Sequence, residues 1–122
     1  MTPLVIRIVP RPPATLVTIC GEVDIATIAQ LRERLDAVPD RDTVLEMSQV
    51  MLLCAAGVRA VLGLQDRLAT GGARLVLAAA SRPVRRVLTL FGLGTDLVLT
   101  PTVEHALTSL QNRRPKQPVA AR

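Results

Sequence analysis

The stretch from Val44 to Thr70, VLEMSQVMLLCAAGVRAVLGLQDRLAT, constrains the fold of this chain more than any other. It opens on a short apolar run, Val44-Leu45 with Met47 beyond, between charges at Asp42 and Glu46. That length and β-branched content predict a buried strand. A connector from Ser48 to Leu53 leads to Cys54-Ala55-Ala56-Gly57, after which a helical period begins. Val58, Val61, Leu62, Leu68 and Ala69 share one face of that helix, and Arg59, Gly63, Asp66, Arg67 and Thr70 share the other. A strand, a tight connection and a helix N-terminus form the unit on which α/β proteins place functional residues.

The flanking sequence extends the pattern in both directions. Leu4 to Val9 reads as a strand broken by Pro10, Pro12 and Pro13, and Ala14 to Cys20 as a second strand pairing antiparallel with it. Gly21-Glu22-Val23-Asp24 is a turn. Thr27 and Gln30 have the spacing of a capping box, opening a helix with Ile28, Leu31, Leu35 and Val38 inward and an Arg32–Asp36 pair outside. Pro39 ends it. After the central unit, Leu75 to Ala80 is another buried strand, and Ser81 caps a third helix that turns Val84, Val87, Leu88 and Phe91 to the core and stops at Gly92. Leu97 to Leu99 is a short strand. Thr100-Pro101 opens a last helix with Val103, Ala106, Leu107 and Leu110 inward. The order β-β-α-β-α-β-α-β-α predicts a single α/β domain, a mixed sheet with helices packed against it.

Composition narrows the function. The chain has 122 residues, 49% of them hydrophobic, enough for one domain with its own core. No apolar run is long enough to span a bilayer and no secretory leader pattern precedes the first strand, so a cytoplasmic protein without a membrane partner is expected. Phe91 is the only aromatic residue, which removes the stacking surfaces that single-stranded nucleic-acid modules use. Of the net charge of +5, Arg113, Arg114, Lys116 and Arg122 supply four, leaving +1 for the body. Residues 1–112 thus form the domain, and 113–122 read as a basic, disordered tail rather than a specific nucleic-acid site. Catalysis is not expected. His105 is the sole histidine and sits on a polar helix face, the cysteines lack metal-ligand spacing, and Gly71-Gly72, Gly92 and Gly94 end helices rather than open a phosphate loop. No cofactor and no metal is implied.

The frame of apolar strand, Ser, apolar connector, small residues, Gly and helix resembles the centre of a STAS domain, the fold of bacterial anti-sigma-factor antagonists. The Gly21-Glu22-Val23-Asp24 turn and the Phe91-Gly92-Leu93 helix ending resemble that family too, and the likeness spans about Leu4 to Leu110. The resemblance implies a partner, an anti-sigma factor of the serine-kinase type, and through it regulation of sigma-factor-dependent transcription. The family's connector usually ends in Asp-Ser-Ser-Gly, with the first Ser phosphorylated and the turn's Asp close by. Aligned on Gly57, this chain reads Cys54-Ala55-Ala56-Gly57, so Ala55 takes the phosphoacceptor's place and cannot be phosphorylated. Asp24, Cys54, Ala55, Ala56, Gly57, Arg59, Gly63 and Asp66 are the candidate partner-binding residues. Asp24 is equally readable as turn chemistry. Gly63 stands on an exposed helix face where Gly costs about 1 kcal/mol against Ala, a cost that close approach of a partner would explain.

Two further readings stay open. Cys20 at the end of the second strand and Cys54 before the central helix would form a redox switch if their Cα atoms approach to about 6 Å; otherwise they are small apolar residues. Other STAS-like folds imply binding of a nucleotide or another small ligand. Removing Pro115 to Arg122 is expected to leave the melting temperature nearly unchanged, as a circular-dichroism melt will show. A large drop would mean that the tail packs on the body.

Overall fold

The computed structural model describes residues 3–112, so the predicted tail at 113–122 lies outside the described residues. Strands β1 (Val5–Arg11), β2 (Ala14–Val23), β3 (Thr43–Leu53), β4 (Leu75–Ala78) and β5 (Val98–Thr100) alternate with helices α1 (Ile28–Asp36), α2 (Ala55–Thr70), α3 (Arg82–Leu90) and α4 (Val103–Asn112) in the predicted order. The five strands stand side by side in chain order. β1 runs antiparallel to β2, and β2, β3, β4 and β5 are mutually parallel.

The period of two along the strands sorts the side chains into two layers. Val17, Ile19 and Val23 of β2, Leu45 and Met47 of β3, and Leu75 and Leu77 of β4 face α1, α2 and α3 and form the main core. Their neighbours Val44, Val76 and Ala78 face the opposite way, onto Ala106 and Leu110 of α4. The middle of the sheet is therefore buried on both sides, which is why Val44-Leu45 and Leu75 to Ala78 are unbroken apolar runs.

Several local expectations are corrected. The predicted connector from Ser48 to Leu53 is strand, and Ser48 is an exposed residue inside β3. Against β2 the register slips twice, so that Thr18 faces Glu46 while Cys20 faces Gln49, and Gly21 faces Val50 while Glu22 faces Leu52. Each slip adds one residue to β3, a bulge. The result is burial at every third residue, Met47, Val50 and Leu53, a spacing that imitates loop. Pro10 lies within β1 rather than ending it, because an edge strand tolerates a residue without an N–H. The inward face of α2 is Gly57, Val58, Val61, Leu64 and Leu68; Leu64 belongs to it and Ala69 is exposed. Phe91 is 46% exposed and outside the core. Thr27 makes no side-chain cap to α1, and Gln30 turns elsewhere. Arg32 and Asp36 form no ion pair.

Gln30 and Arg34, one turn apart on α1, reach over the free edge of β1. The Gln30 Nε2 donates to the Leu4 carbonyl at 2.8 Å and an Arg34 guanidinium N–H to the Ile6 carbonyl at 3.1 Å. Arg67, expected on the outer face of α2, instead donates to the carbonyls of Leu35 and Val38 at 2.9 and 3.0 Å and pairs with Asp40, tying α2 to the end of α1. Ser81 caps α3 as expected, accepting from the Val84 N–H, and its hydroxyl also donates to the Val50 carbonyl at 2.6 Å.

Two glycines respond oppositely to a methyl group. Gly21 has φ +118°, and a Cβ there would overlap the Pro3 carbonyl oxygen. Gly21→Ala is expected to cost about 2 kcal/mol or more. Gly63 has nothing within 4 Å of a built Cβ, so Gly63→Ala is expected to add up to about 1 kcal/mol. Urea midpoints at constant m will measure both, and equal shifts would contradict this account.

Candidate functional site

The site is built where β2 and β3 leave the sheet together. After Val23 the chain turns sharply, and Asp24 holds the turn. Its Oδ1 accepts from the N–H groups of Ala26 at 2.9 Å and Thr27 at 3.2 Å, and its carbonyl accepts from those of Thr27 and Ile28. The Thr27 hydroxyl accepts from the Asp24 N–H at 2.9 Å and donates to the Glu22 carbonyl at 2.8 Å. Thr27 is thus a clamp on this turn rather than a helix cap. The turn reading of Asp24 is visible in these bonds, and its second carboxylate oxygen makes none among the described residues.

Beside this turn, the Cys54 N–H donates to the Val23 carbonyl at 3.0 Å. That bond carries the β2–β3 pairing one residue further and sets the start of α2 next to Asp24. Cys54 is the extended residue before α2 and offers no side-chain cap. Ala55, the first helical residue, is exposed; Ala56 is half-buried and Gly57 buried. A Cβ on Gly57 would come within 2.8 Å of the Val23 side chain and 2.7 Å of the Leu53 side chain. Gly57 therefore seats α2 against the sheet, a packing role that explains the motif's glycine.

Three residues that the sequence reading passed over complete this end of the molecule. Ile25 is 92% exposed at the tip of the turn, and Met51 (59%) and Leu52 point outward from the bulged end of β3. Leu52 is the register partner of Glu22, and Leu53 of Val23, so these apolar side chains border the Asp24 turn. For Met51 and Leu52 the signal was present as the unbroken apolar run from Val50 to Leu53, but its inward and outward residues depend on the bulges; Ile25, next to Asp24, carried no such signal.

The structure gathers Asp24, Cys54, Ala55 and Ala56 at this end, with Arg59 exposed one turn along α2. Gly63 and Asp66 are not part of the cluster; at 1.5 Å per residue they lie roughly 12 and 17 Å along the helix from Ala55. Gly63 instead lines a groove of about 290 Å³ between α1 and α2, with Arg32, Asp36, Ala60 and Arg67. Both cysteines are free. Cys54 packs against the main core, whereas Cys20 alternates with Ile19 and belongs to the opposite face of the sheet. Cys20 faces Gln49, five residues before Cys54, or roughly 15 Å along the strand, well beyond disulfide reach. The paired redox switch therefore does not fit this fold. Among the described residues no group of His, Cys, Asp and Glu is placed to hold a metal ion, and no helix is long and apolar enough to cross a membrane. His105 is exposed, with Nδ1 and the Thr102 hydroxyl 2.7 Å apart.

A mixed, mostly parallel sheet with an exposed turn and a helix start side by side at one end defines the class of this α/β module. Residues 8–101 match the family model described as "Mlab, STAS domain". The chain belongs to the STAS domain family. Its fold is shared with an anti-sigma factor antagonist from Mycobacterium paratuberculosis, 24% identical over 90% of this chain and 96% of that one, with a TM-score of 0.81. It is shared with unphosphorylated SpoIIAA, a Bacillus protein, at 21% identity over 93% and 100% of the two chains and a TM-score of 0.71. A sulfate transporter family protein from Wolinella succinogenes is also similar, at 23% identity over 86% and 89% and a TM-score of 0.66. No curated protein sequence matches the chain.

Asp24→Asn keeps the oxygen that accepts from Ala26 and Thr27 while removing the charge. It is expected to leave the melting temperature within a few degrees of the parent and to weaken partner binding. Unchanged affinity by calorimetry, with an unchanged fold, would assign Asp24 to the turn alone.

Proposed function

We infer that this chain is a cytoplasmic, non-catalytic antagonist that binds an anti-sigma factor of the serine-kinase type and so releases a sigma factor for transcription. One observation supports the reading: Ala55 is exposed as the first residue of α2, beside the Asp24 turn, and alignment on Gly57 would give it the position at which the resembling family carries its phosphorylated hydroxyl. A phosphate at that position adds about −1.5 to −2 charges at neutral pH, next to a carboxylate and among exposed apolar side chains. A partner packed on Ile25, Met51 and Leu52 would lose its fit to such a group. With alanine the disruption has no chemical handle, and the module stays in its binding form.

Ser48 is the nearest hydroxyl on β3. It is exposed, and its hydroxyl makes no hydrogen bond among the described residues, which leaves it open to a kinase. Incubation with the cognate kinase and ATP is expected to add no phosphate between Val44 and Thr70 by mass spectrometry, and a phosphate on Ser48 would overturn the claim. Ala55→Glu is expected to weaken binding of the captured anti-sigma factor roughly tenfold through charge at the contact. Ala55→Ser is expected to bind like the parent until phosphorylated. Capture of a transport complex in place of an anti-sigma factor would refute the transcriptional reading.

A further inference from the structure

Helix α3 buries one stripe and leaves another bare. Val84 and Leu88 enter the core, while Arg82, Arg85, Arg86, Thr89 and Leu90 are all exposed. These five residues stand at i, i+3, i+4, i+7 and i+8, the spacing of one continuous helix face. Together they line a shallow groove of about 380 Å³. Leu90, at its far end, is 77% exposed.

The charge on this face is one-sided. Three guanidinium groups lie on a nine-residue helix that contains no acidic residue. The ion pairs of the described residues involve Arg11, Arg67 and Arg74, and none of these three. Arg82 is the first residue of the helix and Arg85 the fourth, at the positive end of its dipole. A cation there is disfavoured where an anion would be favoured. The surface thus holds unpaired positive charge against local electrostatics.

We propose that this face docks an acidic amphipathic helix of a partner protein, with Asp or Glu meeting the arginines and an apolar side chain covering Leu90. The proposal does not depend on the reading of Ala55. The stripe spacing is the one that helix-in-groove recognition uses, and planar guanidinium groups suit carboxylates. A bilayer fits less well, because three cations and a single apolar side chain on the stripe give only marginal attachment. A phosphodiester backbone has nothing apolar to set against Leu90.

The test uses the isotope-labelled full chain and a synthetic Ala-rich helix of about 20 residues, beyond the length at which isolated helices are marginal. Glu occupies i, i+3 and i+4 of the peptide and Leu occupies i+8. At low ionic strength, amide shifts are expected to be confined to α3 and its neighbours. Arg82→Glu/Arg86→Glu is expected to bind roughly tenfold or more weakly, and to recover binding when Lys replaces Glu in the peptide. Arg85 is left in place because it also donates to the Ala80 carbonyl at 2.6 Å, and a thermal melt verifies that the double variant is folded. No shift at α3, equal binding by the double variant, or equal binding of a peptide with its Glu scattered around the helix would overturn the proposal. So would phosphatidylserine vesicles or a DNA duplex shifting α3 where the peptide does not.

Discussion

The pairing of β3 with β2 is the interaction on which the rest depends. It begins in a regular parallel ladder from Thr15 and Thr43, where Val44 and Leu45 are sealed between α4 on one side and the three other helices on the opposite one. Further along, the two strands are still paired but β3 contains two extra residues. A bulged strand bends and twists away from its sheet. That change converts the alternation of a buried strand into an outward display of Met51 and Leu52. The same ladder ends in the bond between Cys54 and Val23, which fixes where α2 starts relative to the Asp24 turn. The core and the candidate contact surface are two ends of one pairing.

Glycine and threonine stabilise this arrangement for different reasons. Gly21 is required by its positive φ and by the closeness of the Pro3 carbonyl, and Gly57 by the side chains of Val23 and Leu53. Thr27 spends its hydroxyl on the backbone of Glu22 and Asp24. The Gly-Glu-Val-Asp turn and the small-residue start of α2 are therefore held by backbone conformation, close packing and the Thr27 hydroxyl. A frame secured in this way does not depend on the exposed side chain of Ala55 for its shape.

The element order, the core sides of α1, α3 and α4, and the position of Ala55 at the head of α2 were legible because each rests on local periodicity or on a short spacing. The course of Ser48 to Leu53 was not, since a bulge is a property of two strands and leaves no mark in one. Phe91 was misplaced because its i+3 spacing from Leu88 continues the apolar stripe one residue beyond the end of α3. Gln30 and Arg67 have sequence neighbours that suggest local pairs, yet both bond to backbone carbonyls more than twenty residues away. Cys20 and Cys54 both flank the same end of the sheet in sequence, but the parity of β2 sends Cys20 to the other face.

The sheet has two free edges, and neither invites another strand. β5 is three residues long. At β1, the outward carbonyls of Leu4 and Ile6 are already occupied by Gln30 and Arg34. Strand addition is the least selective way for proteins to associate, since it reads backbone and little else. With β5 short and the start of the β1 edge covered, the side chains on turns and helices are the more selective surface of this fold. Contacts made through such side chains are chosen residue by residue, which the pairing of one backbone with another is not.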